Sequence, residues 1–139
     1  MAKEIEFNKV LKVDHTKAFE IVSNFEKYSE FIPGCKEAIL IKKDDCIEIG
    51  RLDFEILGKE YFIESENSLT NNSIEIKQLK GPFKDFKGKW VVIKIDEASC
   101  HIFLKAEFEL PFLLNAITPQ SLIDKFSITI INSFINRVL

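Results

Sequence analysis

Histidine and cysteine are scarce in this chain of 139 residues, with two of the first and three of the second. His15, His101, Cys35, Cys46 and Cys100 fall at no spacing that ligates zinc, so no metal is expected. An odd cysteine count without paired spacing excludes a disulfide scaffold and points to a reducing compartment. No nucleophile stands beside a base, and no glycine-rich phosphate loop is present, so no catalytic residue can be nominated. No apolar run is long enough to cross a bilayer. Met1-Ala2-Lys3-Glu4-Ile5 enters an alternating pattern directly, without the form of a leader. The expected location is therefore cytoplasmic, with any membrane contact peripheral at the inner face. Cationic excess is missing too. A net charge of −3 and a pI near 5.5 exclude a dedicated nucleic-acid binder, whose affinity rests on basic surface. Repeats, low-complexity tracts and linkers are absent, which leaves one domain, residues 1–139.

What the chain has in abundance is phenylalanine, 13 residues against one Trp and two Tyr. Two segments gather aromatics around a proline–glycine turn. They are Tyr28-Ser29-Glu30-Phe31-Ile32-Pro33-Gly34-Cys35 and Leu79-Lys80-Gly81-Pro82-Phe83-Lys84-Asp85-Phe86-Lys87-Gly88-Lys89-Trp90. Rings around a turn suit a rim or hinge rather than bond-breaking chemistry. The second segment belongs to a local basic run, Lys77, Lys80, Lys84, Lys87, Lys89 and Lys94, opposed within it only by Asp85. That run is either a solvated strand face or a rim that meets anionic lipid or RNA phosphate.

Periodicity orders the elements. Ile5, Phe7, Val10, Leu11 and Val13 predict an opening strand, and Asp14 caps a helix whose Ala18, Phe19, Val22 and Phe25 fall at helical spacing. A short helical turn around residues 26–31 stops at Pro33-Gly34. Strands follow at 38–41, 47–56, 61–63, 74–76, 86–92 and 100–110. In the second of these the apolar parity changes, from Ile47 and Ile49 to Leu52, Phe54 and Ile56. That change predicts a β-bulge at Gly50 that bends the sheet. At the end, Thr118-Pro119 reads as a helix start, and Leu122, Phe126, Ile130, Phe134 and Val138 recur every four residues, giving a long C-terminal helix. The class is α+β: a bent antiparallel sheet of about seven strands wrapped around that helix.

This order is the helix-grip arrangement. Tyr28-x-x-Phe31-Ile32-Pro33-Gly34-Cys35, Gly81-Pro82-Phe83 followed by Gly88-x-Trp90, and Cys100-x-Ile102 leading to Phe108-Glu109 resemble the coenzyme Q-binding and ribosome-association toxin family of the START-like, polyketide cyclase-related superfamily. The resemblance spans essentially the whole chain. Gly34 stands where the mitochondrial branch typically has Trp, which leans the chain towards the bacterial toxin-like branch.

The resemblance implies a non-enzymatic protein that binds an isoprenoid quinone or similar lipid between sheet and C-terminal helix, as a carrier or chaperone in respiration. The alternative it implies is a toxin that binds a ribosomal subunit and blocks subunit joining. A polyketide cyclase-type enzyme is a third reading, which lacks a candidate base. No cofactor is expected beyond a bound quinone or lipid.

Tyr28, Phe31, Pro33, Phe54, Phe83, Phe86, Trp90, Phe126 and Phe134 are the candidate ligand-binding residues, with Ser133 or Asn67 as a polar contact. As residue types these rings serve equally as plain core. Lys80, Lys84 and Lys87 are the candidates for membrane or RNA contact. Cys35 reads as a small buried residue opening a strand. The acid pairs Glu64/Glu66 and Glu107/Glu109 lie opposite the apolar positions, towards solvent.

Overall fold

A computed structural model describes residues 2–56, 58–110 and 120–139, leaving aside the side chains of Ala2, Ile56, Lys59, Leu122, Ile123 and Phe126. The Thr118-Pro119 helix start and the side chain of Phe126 therefore lie outside the described residues.

Strand β1 (Ala2–Leu11) leads through Asp14 into helix α1 (His15–Ser23). The Asp14 carboxylate accepts the Thr16 N–H at 2.9 Å, satisfying a donor that the first helical turn leaves open. A 3-10 helix (Phe25–Glu30) follows, and the Pro33-Gly34 turn ends it. Gly34 holds a φ of 81°, which an L side chain rarely adopts. Six strands come next: β2 (Cys35–Asp44), β3 (Ile47–Ile56), β4 (Lys59–Leu69), β5 (Ser73–Lys80), β6 (Asp85–Asp96) and β7 (Ser99–Glu109). Helix α2 (Gln120–Val138) closes the chain.

The strands form one antiparallel sheet in the order β1-β7-β6-β5-β4-β3-β2, so only the β1–β7 neighbourhood joins distant parts of the chain. Alternation gives the sheet two faces. The concave face carries Leu11, Ile74, Trp90, Val92, Cys100, Ile102, Ala106 and Phe108, all buried. Against it pack Ala18 and Val22 of α1 and Ile131, Phe134, Ile135 and Val138 of α2. Buried positions three and four apart along α2 are what its periodicity predicts.

The predicted bulge at Gly50 is a correction. The β3–β4 register runs unbroken from Ile47↔Ser68 to Ile56↔Lys59, so β3 keeps its parity throughout. The extra residue sits in the neighbouring strand: Leu40 pairs with Gly50 and Lys42 with Ile49, leaving Ile41 unmatched. Gly50 has a different task. A Cβ there would stand 2.4 Å from Cε1 of Phe25, so the missing side chain is the seat of that ring. With parity kept, Ile47 and Ile49 point to the convex face, and Glu48, Gly50, Leu52 and Phe54 share the concave one.

Candidate binding site

The concave face collects aromatic rings into two groups. In the first, Phe134 of α2 is the hub: its ring centroid lies 5.2 Å from Tyr28, 5.0 Å from Phe31 and 5.0 Å from Trp90. The Tyr28 and Phe31 contacts are edge-on, the arrangement favoured by ring quadrupoles. The short 3-10 helix delivers Tyr28, β6 delivers Trp90, and Phe25 extends the group at 5.3 Å from Tyr28. The Tyr28 hydroxyl donates to the Val22 carbonyl, and burial, reinforced by the nearby Glu48 carboxylate, raises its pKa far above that of an ordinary phenol. Outside the rings, Arg137 Nη2 meets Glu30 Oε1 at 2.5 Å and its guanidinium stands over Phe31, which ties the end of α2 to the 3-10 helix. Partnership with Arg137 and then Lys27 holds the Glu30 carboxyl below its usual range.

The second group lies four residues away along β6. Phe83, Phe86 and Phe108 form a triangle with centroid separations of 5.2, 5.3 and 6.2 Å. Phe108 is buried, whereas Phe83 and Phe86 are half-exposed. The loop carrying Phe83 is clamped by one side chain: Gln78 Nε2 donates to the Phe83 carbonyl at 2.8 Å, and Gln78 Oε1 accepts the Phe83 N–H at 3.3 Å. Gly81 makes room for this clamp, since a Cβ there would stand 2.4 Å from Gln78 Oε1.

Of the residues nominated from sequence, the structure thus joins Tyr28, Phe31, Trp90 and Phe134 in one group and Phe83 and Phe86 in the other. Phe54 is half-buried against the core, beside the β2 edge. Pro33 is exposed in its turn. Asn67 is buried and accepts from the Ser65 hydroxyl at 2.9 Å, while Ser133 bonds back onto its own helix by donating to the Ile130 carbonyl.

The basic run is exposed but interleaved with acids from adjacent strands. Lys84 stands 3.6 Å from Glu109, Lys87 3.6 Å from Glu107 and Lys89 3.4 Å from Glu75. Lys80 is exposed opposite Glu64 in the β4–β5 register. Such exposed pairs contribute little to stability, and together they turn an apparent cationic run into a nearly neutral ladder.

Sequence reasoning missed two residues. Gln78 gave no signal, because only the folded loop shows what it holds. Glu48 was hidden by the misassigned bulge: it is 93% buried, at 7% exposure, on the concave face. The buried thiols offer no reactive centre. Desolvation raises the Cys35 pKa to about 11, and it raises that of Cys100 as well. His101 lies on the convex side, near Asn8 Oδ1 at 3.0 Å, and His15 opens α1.

Residues 12–134 match the protein family described as polyketide cyclase / dehydrase and lipid transport. Over 97% of its length, and 94% of the relative's, the chain is 24% identical to the ribosome association toxin RatA of Vibrio cholerae. The Pseudomonas aeruginosa protein of that name is 23% identical over 99% of this chain and 96% of its own. Among solved structures, the Zhui aromatase/cyclase of a Streptomyces species superposes with a TM-score of 0.84 at 14% identity, covering 99% of this chain and 94% of that one. A START superfamily protein of Mycobacterium smegmatis gives 0.81 at 16% identity, covering 97% and 96%. These structural likenesses establish the helix-grip fold.

Proposed function

The chain belongs to the polyketide cyclase / dehydrase and lipid transport family, in its START-like, RatA-related part, and from that premise we propose that it works by binding rather than catalysis, as a ribosome-association protein of the toxin type. The observation that carries this reading is the near end-to-end match to relatives named for ribosome association. The chemistry of the interior agrees with it. Acid–base or nucleophilic catalysis needs a base and a reacting group within hydrogen-bond reach. Among the described residues the concave polar groups Ser65 and Asn67 hydrogen-bond to each other, Gln78 is spent on its loop, the Glu48 carboxylate has no reacting group hydrogen-bonded to it, and desolvation keeps the buried Cys35 thiol protonated at neutral pH. The hub around Phe134 fills the space beneath the end of α2 with rings.

Sucrose-gradient sedimentation tests the proposal. Purified protein added to ribosomes should co-sediment with one subunit and move material from the intact-ribosome peak to the subunit peaks. Unchanged profiles at a several-fold molar excess overturn it. The neutral lysine ladder adds a constraint: replacing Lys80, Lys84 and Lys87 together by Gln should weaken association only modestly if the ladder is not the contact surface.

A second reading, binding of an isoprenoid quinone or similar lipid, is favoured by the Phe83–Phe86–Phe108 triangle, in which Phe83 and Phe86 are half-exposed. It presents flat apolar surface on the face that helix-grip proteins cover with their helix. Organic extraction of the protein purified from quinone-containing membranes, followed by mass spectrometry, tests it. Stoichiometric quinone supports the reading, and an empty extract removes it.

A further inference from the structure

A concavity of about 280 Å³ lies where the end of α1 and the 3-10 helix meet the β2–β3 hairpin, and Glu48 lines it. Glu48 is only 7% exposed as a residue and lines this concavity, and a carboxylate so placed favours a cationic partner. It has no ion-pair or hydrogen-bond partner among the described residues, although its buried neighbours Ser65 and Asn67 are satisfied. Its cross-strand neighbour Lys43 lines the same concavity but is exposed and forms no ion pair with it. Glu20 and Glu26 bring two more carboxylates to the rim, so three acids face one lysine. Phe25, seated on Gly50, supplies an apolar wall. The space is small for a drug-sized or isoprenoid ligand and suits a single cationic group with a short alkyl chain.

We propose that this concavity is a binding site for an alkylammonium group, which supplies the counter-charge that Glu48 lacks. The group comes either from a free polyamine or from a lysine side chain of a protein partner. Glu48 is the direct contact, Glu20 and Glu26 add long-range attraction at the rim, and Lys43 competes. The site is independent of the ring groups and of the ribosome reading.

Spermidine, N-acetyl-lysine amide and magnesium chloride, each titrated into isotopically labelled protein and followed by amide NMR shifts, test it. Saturable shifts confined to segments 20–26 and 40–48 are expected with spermidine or with the lysine derivative. The better of the two identifies the source. Glu48→Gln should weaken that binding at least about tenfold. Lys43→Gln, exposed and harmless to folding, should tighten it, and Glu20→Gln should weaken it by a smaller factor. The two rim variants keep the proposal testable if Glu48→Gln folds poorly. Absence of shifts with both amines overturns the proposal. So does binding that is indifferent to these substitutions, or magnesium displacing spermidine at equal concentration.

Discussion

The two ring groups on the concave face are built from the same residue type and held in different ways. Around Phe134, rings from the 3-10 helix, β6 and α2 close on one another, and Arg137 latches the helix end from outside. Around Phe86, the rings come from two paired strands and one loop, and the loop is held by two hydrogen bonds from a single amide. Long-range packing from three elements makes the first group structural. Local tethering with half-exposed rings makes the second a surface that can exchange contacts. An excess of phenylalanine therefore does not carry one meaning along a chain: the number of elements converging on a ring decides its role.

The largest effect should come from breaking the hub. Phe134→Ala removes a fully buried ring touched by three others and should lower the unfolding free energy by about 3–5 kcal/mol in urea denaturation. Phe83→Ala, at a half-exposed ring, should lower it by about 1 kcal/mol. Equal losses at the two positions would erase the distinction between the groups.

Next in size is the seat of Phe25. Gly50→Ala forces a Cβ into a rigid ring held by Tyr28 and the sheet, and a cost of about 1–3 kcal/mol is expected from overpacking. Trimming the ring should recover much of it, so Gly50→Ala combined with Phe25→Leu should be more stable than the sum of the single changes predicts. Strict additivity would mean that the ring simply moves aside.

A kinetic contrast sharpens the picture of a protonated interior. Exposed Cys46 should be alkylated by iodoacetamide at pH 7.5 at least about tenfold faster than Cys35, whose pKa of about 11 leaves almost no thiolate. Peptide mass mapping over time reads the order. Rapid labelling of Cys35 in the folded protein would contradict its burial.

The smallest expected effect is in acid. Asp14 and Asp96 have lowered pKa values, held down first by the Thr16 and Ala98 N–H groups respectively, and Glu30 is held down first by Arg137. A carboxyl whose folded pKa is depressed contributes stability that is fully present above its unfolded pKa and lost as pH falls through the folded one. Melting temperature should therefore decline below about pH 4, where these carboxyls take up protons. Arg137→Gln should make that decline shallower by removing the partner of Glu30. An unchanged acid slope would show that the latch contributes nothing beyond its contact with Phe31.

Much of the fold was legible in the sequence because it rests on local rules. Period-two alternation in Cys100–Leu110, the Asp14 cap and the four-residue recurrence from Ile130 to Val138 each act over a few residues, and the described structure honours them. The family was legible from the Tyr28–Cys35 and Gly81–Trp90 segments. The site was legible only as a list of rings. Nothing local distinguishes Trp90, which meets Phe134 across the sheet–helix interface, from Phe86, four residues earlier on the same face.

The error in β3 is the most instructive case. Ile47 and Ile49 look like core, yet they face outward, because β4 pairs with β3 in one continuous register and cannot change faces at Gly50. Apolar residues on a convex face are tolerated at modest cost, so their pattern does not fix which way a strand turns. Periodicity by itself determined an antiparallel sheet with a long C-terminal helix, and the motif segments determined the family. Only the tertiary structure decided that Gly50 seats a ring, that lysines from residue 84 to 89 are matched by acids on neighbouring strands, and that Glu48 is buried without a partner. Each of those depends on register between segments distant in sequence, and register is set by the whole sheet rather than by any one strand.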